Sequence, residues 1–440
     1  MRLLFLTPQL PYPPQQGTTI RNFNIIKHLA ARHEITLLSF GTPEELENAE
    51  PLRALVKRIE IAPYPIRTMP QRALTTLLSP RPDMALRLGS AEMQAKTTAI
   101  LHNETFDVIQ IEGIEMAEFW MTAISNLPIS NLPISNLSIP NLSISIPPPP
   151  ASVFDEHNAE YVLQHSAFES DARKVTRWLA ALYSLIQWKK LERYERAVCR
   201  RADYIAACSE TDAIAIRALL TPGENQTEIS TVGVIPNGVD TEYFVPSDEV
   251  CAKPLAELSM VFAGKMDFRP NVDAVLWFCD EILARIRAEI PLAHIAIVGF
   301  KPTPRVAALN KRQGIEVTGW VPDTRPYVAD AAVYVVPLRM GSGTRLKVLE
   351  AMAMGKAIVS TSRGVEGINL QPGRDALVAD TPDAFAREVI ALLQDPARRR
   401  ALGKAARILV ETTYDWRKIV PKFEQVYSDI ARGSTRTNAD

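Results

Sequence analysis

Short apolar runs alternate with amphipathic stretches along most of the chain. Arg2–Thr7, Glu34–Phe40, Arg58–Ala62, Asp107–Ile111, Ala151–Phe154, Asp203–Ala207 and Thr231–Ile235 read as strands. Between them apolar positions recur at helical spacing, as at Ile20, Phe23, Ile26 and Ala30, and over Pro43–Lys57, Gln71–Leu78 and Ala91–His102. Periodicity fades over 241–257 and then restarts. Met260–Ala263, His294–Val298, Ile315–Thr318, Val333–Leu338, Ala357–Thr361 and Ala376–Val378 are the strands of this second half. Helices are predicted from Asn271 past Ala288, near 382–393 and 396–410, and over Tyr414–Ile430. Strands that alternate with helices predict parallel, doubly wound α/β sheets. The pause and restart predict two domains, 1–240 and 258–413, joined by a linker at 241–257. A closing helix at 414–431 and a polar tail at 432–440 follow.

Two stretches depart from this rhythm. Residues 124–150 carry a five-residue near-repeat, ISNLP, ISNLP, ISNLS, IPNLS, ending in four prolines. That period is too short for a solenoid unit, and proline disfavours helix and sheet interiors. The stretch reads as a low-complexity surface insertion. Residues 171–201 read as a long basic helical stretch, with Arg173, Lys174, Arg177, Lys189, Lys190, Arg193 and Arg196 among its bases and Trp178 and Trp188 on its apolar side. Such a stretch suits either an anionic membrane surface or an ordinary solvated face.

Composition narrows the class. With 440 residues the chain exceeds one core. Its net charge of −1 gives no field that would favour nucleic acid. Cys199, Cys208, Cys251 and Cys279 lie far apart without metal-ligand spacing, which suits buried thiols in a reducing compartment. The start, MRLLFLTP, reads as a first strand, and no apolar run approaches a membrane span. The expected location is the cytoplasm, with 171–201 as the one stretch suited to peripheral contact with the inner face of the membrane.

The chemistry concentrates in Pro337–Gly355, PLRMGSGTRLKVLEAMAMG. A buried strand runs into the turn Gly341-Ser342-Gly343-Thr344 and then into an amphipathic helix. Free backbone N–H groups at such a helix start can hold an anion. Arg345 and Lys347 stand in the first turn, at the positive end of the helix dipole, where cations cost stability unless an anion sits among them. Glu350 is the lone carboxylate of the apolar run Val348–Met354. Either it accepts hydroxyls of a ribose, or it pairs with Lys347 on an ordinary helix surface. In the first half, Ala151–Phe154 delivers Asp155-Glu156-His157-Asn158 to the carboxyl end of a strand, where open α/β sheets bind ligands. His157 there is either a catalytic group or part of an acidic capping cluster.

GSGTRLKVLEAMAMGKAIVST, IPNGVDTEYF and the early proline-rich loop ending at Gly17 resemble family 4 retaining glycosyltransferases of the GT-B fold, of the bacterial exopolysaccharide type. The resemblance covers nearly the whole chain outside the repeat. It implies two Rossmann-like domains facing across a cleft, the first for the acceptor and the second for a nucleotide sugar, with the last helix crossing back to the first domain. It implies transfer of a sugar, with retention, to a glycan or lipid-linked acceptor, without a metal or cofactor. Glu350 would bind the ribose, and Lys265, after Gly264, the diphosphate. Val321 would meet the base, Gly17 would approach the donor phosphates, and His157 would lie near the transferred sugar. Arg269, Gly299, Ser342, Gly343, Thr344, Arg345 and Lys347 complete the implied donor set, with His157, Lys347 and Glu350 as the catalytic residues. Two positions depart from the family pattern. Ser342 stands where a second glutamate is usual, and Pro270 where a lysine is common. Arg345 and Lys347 would then neutralise the diphosphate. A nucleotide-sugar epimerase and a non-catalytic sugar-nucleotide-binding protein are the alternatives.

Overall fold

In the computed structural model the described residues are 1–127, 149–172, 177–221, 231–246, 256–341 and 345–436. The chain divides into two compact units, Met1–Ile235 with Val420–Asp440, and Pro236–Ile419. Most of the repeat lies outside the described residues, as do Cys251, Ser342, Gly343 and Thr344.

The first unit is built on a seven-stranded sheet, β1 (Arg2–Thr7), β2 (Glu34–Phe40), β3 (Arg58–Ala62), β4 (Val108–Glu112), β5 (Ala151–Glu156), β6 (Tyr204–Ala207) and β7 (Thr231–Val234). Its order is β3-β2-β1-β4-β5-β6-β7, and every pairing is parallel. β1, β4 and β5 are buried almost throughout, which is why they read as apolar runs rather than alternating ones. The second unit holds six strands, β8 (Ala256–Ala263), β9 (His294–Val298), β10 (Ile315–Gly319), β11 (Ala331–Val336), β12 (Ala357–Ser360) and β13 (Leu377–Val378). Their order is β10-β9-β8-β11-β12-β13, again all parallel. In both sheets the order reverses beside the first strand, between β1 and β4 and between β8 and β11. A crevice opens at such a reversal, at the carboxyl ends of the strands.

Several local boundaries differ from the sequence reading. Pro43–Lys57 is two short helices, Pro43–Glu47 and Glu50–Arg53, because Pro51 needs a fresh helix start. The helix expected from Asn271 begins at Arg269 and passes through a π-turn at Phe278–Ile282 before Leu283–Glu289. The described part of the basic stretch lies at the end of the helix Glu160–Ala172 and on the helix Trp178–Cys199, while Arg173 and Lys174 fall outside the described residues. Trp188 of the latter packs its ring 4.1 Å from His165 of the former. The terminal helix, Trp416–Arg436, belongs to the second unit through Ile419 and to the first from Val420 on.

Candidate active site

The second unit gathers its polar groups where β8 and β11 part. β8 ends at Gly264-Lys265, and β11 leads to Arg345, the residue before the helix Leu346–Ala353. No acid occupies the first turn of that helix, so Arg345 and Lys347 do stand at its positive end. The Lys347 ammonium donates to Asn271 Oδ1 at 2.8 Å and lies 4.2 Å from the centre of the Phe262 ring. Asn271 is turned by its other end, Nδ2 donating 2.9 Å to the Lys265 carbonyl. An amide rather than a carboxylate thus receives the Lys347 charge. Burial and the neighbouring Arg345 charge push Lys347 down to about 7, against the pull of Glu350. Burial likewise pushes Glu350 up to about 7, with Lys347 opposing it. Burial lowers Arg345, whose guanidinium stands 3.9 Å from Glu366.

Two glycines are required here by close approach. A Cβ on Gly264 would lie 2.6 Å from Lys347 Nζ and 2.8 Å from Asn271 Nδ2. A Cβ on Gly299, at the end of β9, would collide with the Gly264 carbonyl oxygen at 1.8 Å. The Lys265 side chain is exposed beside Asp267, and Arg269 is exposed at the start of its helix. Val321, two residues beyond β10, is partly buried. Gly264, Gly299, Lys265 and Lys347 thus meet through direct contacts or through Asn271. Ser342, Gly343 and Thr344 fall outside the described residues.

The first unit gathers its own set where β1 and β4 part. His157 follows β5 and lines a cavity of about 360 Å³ with Pro8, Gln16, Thr18, Gly113 and Glu156. Gly17 opens the helix Gly17–Leu29 between the lining residues Gln16 and Thr18 and is itself exposed. His157 Nε2 lies 3.1 Å from Glu112 Oε2 at the end of β4. Gln110 donates to the other Glu112 oxygen at 3.0 Å, and the Asn22 amide, turned to donate, reaches Oε2 at 2.7 Å. Burial works against the His157 charge, but the Glu112 hydrogen bond and the Asp155 charge prevail and raise it above the usual histidine range. Burial and the Asp155 charge raise Glu112, and His157 opposes them. Glu112, Asp155 and His157 bring ligand atoms within 4.8 Å of one another. However, both Asp155 oxygens already accept from Arg21, at 2.8 Å each. A cation there would compete with a buried guanidinium.

Sequence reasoning missed Asn271, Glu112 and Arg21. Glu112 had a readable signal, a carboxylate closing an apolar strand just as Asp155 nearly closes β5. Asn271 follows Pro270, the position where a lysine was expected, but no spacing rule says that its amide would receive a lysine from another helix.

Residues 257–395 match the family described as glycosyl transferases group 1. A phosphatidyl-myo-inositol mannosyltransferase of Mycobacterium tuberculosis is 27% identical over 207 residues, 45% of this chain and 54% of that protein. A protein of Methanocaldococcus jannaschii described as an uncharacterized glycosyltransferase is 21% identical, over 53% of this chain and 60% of its own length. The chain thus spans about half the length of the curated relatives it matches. Among solved structures, sucrose-phosphate synthase from Thermosynechococcus elongatus superposes with a TM-score of 0.69 at 17% identity, covering 98% of this chain and 100% of that one. HepE of Anabaena, in complex with UDP and glucose, gives 0.63 at 13% identity, with 97% and 99% covered. At such identities these structures speak to the fold. Residues 257–395 are a group 1 glycosyltransferase domain, on a chain with the GT-B fold.

Proposed function

We propose that the chain is a hexosyltransferase that moves a sugar from a nucleoside diphosphate-sugar to a glycan or lipid-linked acceptor, with retention of configuration. The observation that carries this reading is the Lys347 ammonium, partly buried at a helix start between an aromatic ring and an amide. A leaving diphosphate is the anion such a site lacks, and fixed donors aimed at developing charge are the main lever of such catalysis. Arg345 and Lys265 stand on the same carboxyl edge of the sheet. Glu350, one turn on, suits the ribose hydroxyls. His157, held by Glu112, suits a sugar hydroxyl in the first unit. A role in polysaccharide or glycoconjugate synthesis on the cytoplasmic side of a membrane, with contact through 171–201, belongs to this reading. No metal or cofactor enters it.

The test is a thermal-shift panel with UDP, GDP, ADP and NAD, followed by transfer assays. A ligand that binds only the folded state raises the midpoint by mass action. One nucleoside diphosphate should shift the wild type and leave folded Lys347→Ala unshifted. Release of that diphosphate should require an acceptor. Silence across the panel would favour a non-donor role, and conversion of donor sugar without any acceptor would favour an epimerase.

A further inference from the structure

A second cavity of the first unit adjoins that of His157, sharing Met84 and Arg87 with it. Its volume is about 460 Å³, and Arg67, Arg72, Asp83, Tyr183 and Gln187 line it as well. Asp83 opens the short helix Asp83–Leu86, and its backbone N–H donates to Gln187 Oε1 at 2.7 Å. That bond fixes which way the Gln187 amide faces. Gln187 is 3% exposed, and its Nε2 has no hydrogen-bond partner among the described residues. A buried donor left open is costly, so it calls for an explanation, and an acceptor supplied by a ligand is one.

The charge around that donor is positive. Arg67 Nη1 and Arg72 Nη2 donate to the two Asp83 oxygens at 3.0 and 2.9 Å, and Arg67 Nη2 reaches Thr75 Oγ1 at 2.7 Å. The Tyr183 hydroxyl meets Arg72 and Asp83. Arg87 pairs with Glu115, a residue of the His157 cavity. Three guanidinium groups thus line a cavity whose wall holds one carboxylate. A single arginine engaging both oxygens would have satisfied Asp83. The surplus charge and the open amide donor are what a further oxyanion would use. The adjoining cavity has the opposite lining. Glu115, Glu156 and Glu160 stand there beside His157, and carboxylates suit hydroxyl donors.

We propose that this cavity holds an oxyanion carried by the acceptor, a phosphate or a carboxylate, while a hydroxyl of the same molecule reaches the cavity of His157. The acceptor role rests on the transferase reading, but oxyanion binding itself does not, so the two can fail separately. The probes are glucose 6-phosphate, glucuronate and glucose, each added to the full chain in a thermal melt. Glucose 6-phosphate or glucuronate should raise the midpoint of the wild type by mass action, and glucose should not. The two anionic arms tell a phosphate from a carboxylate. The response should survive Lys347→Ala, which removes the cation of the second unit best suited to an anion. A variant with both Arg67→Gln and Arg87→Gln should bind the responding probe about tenfold more weakly or worse. Asp83→Asn removes the competing carboxylate and keeps the backbone N–H that holds Gln187. It should bind the same probe more tightly, and it carries the test where the arginine variant fails to fold. No response to either anion, an equal response to glucose, a response lost in Lys347→Ala, or one that neither the arginine variant nor Asp83→Asn alters would overturn the proposal. A wild type that responds to an anionic sugar but to no nucleoside diphosphate would overturn the acceptor role and leave the oxyanion cavity standing.

Discussion

Lys347 is where a single residue carries the most chemistry. Its amine is pushed down to about 7 because the Phe262 ring and the helix face exclude water and Arg345 adds a like charge. Above that pH the free site holds mostly neutral amine. An arriving diphosphate favours the ammonium, so binding must take up a proton. Nucleotide affinity is therefore expected to fall as pH rises from about 7 to 9, by up to about tenfold per unit once the amine is neutral. In Lys347→Met the affinity should be weaker and should no longer fall with pH over the same range, Glu350 being the group left to titrate there. Calorimetric titration across that range measures both, and a flat wild-type profile would contradict this account of the site. Asn271 makes the low value possible, since an aspartate in its place would hold the lysine charged. The sequence showed Lys347 because a cation stands out at a helix start. It hid Asn271 because an asparagine among apolar neighbours has many uses and its partner lies 76 residues away.

At the scale of elements, the start of the helix Glu160–Ala172 depends on a buried acid. Glu195 accepts the backbone N–H groups of Glu160 and Tyr161 at 3.2 and 2.8 Å, satisfying two donors that a helix start leaves open. Burial nonetheless pushes Glu195 up to about 8, with the charges of Glu160 and Asp212 adding to it and the two N–H groups opposing. Burial also raises Glu156, with the Glu195 charge next, and one Glu156 oxygen has no hydrogen-bond partner. The sign follows from linkage. A carboxyl raised in the folded state favours folding in its protonated form, so that stability is full below about 4.5 and is lost as pH rises toward about 8. Glu195→Gln keeps one acceptor and removes the titration. It should cost about 1 kcal/mol near pH 5, and the gap to wild type should close and then reverse as pH approaches about 8. Denaturant melts at several pH values would show this, and curves that stay parallel would refute it. None of this could be read from the sequence, where Glu195 is one of the few acids within the basic stretch 171–201. Its burial follows from the way two helices pack, which their separate patterns do not encode.

Over the whole molecule, what the sequence disclosed was the alternation, and with it the parallel strands and the restart after 241–257. β1, β4, β9 and β11 lie where apolar runs placed them, within a residue or two, because a strand covered on both faces leaves little freedom in composition. Strand order was not disclosed, and it is the reversal beside β1 and beside β8 that gives His157 and Lys347 their crevices. The terminal helix shows how far a long-range contact can escape pattern. Phe423 and Tyr427 are fully buried in the first unit, hundreds of residues from the strands they cover. The Tyr427 hydroxyl donates to Gln110 Oε1 at 2.9 Å, Gln110 donates to Glu112, and Glu112 meets His157. Arg21, bound to Asp155, stands over the Phe423 ring at 5.4 Å. The last helix is thus one end of a buried chain of hydrogen bonds whose other end is the candidate catalytic histidine. Tyr427→Phe keeps the ring and removes the donor, leaving the Gln110 carbonyl without that hydrogen bond. The cost should be about 1–3 kcal/mol, seen as a fall of about 2–4 °C in melting midpoint per kcal/mol. If the chain also orients Glu112, the histidine pKa should move, since Gln110 would be free to turn its amide. Histidine titration by NMR in wild type and variant separates the two effects. A lower midpoint with an unmoved His157 would make Tyr427 a packing residue alone, whereas a shift in both would make the terminal helix part of the histidine's support.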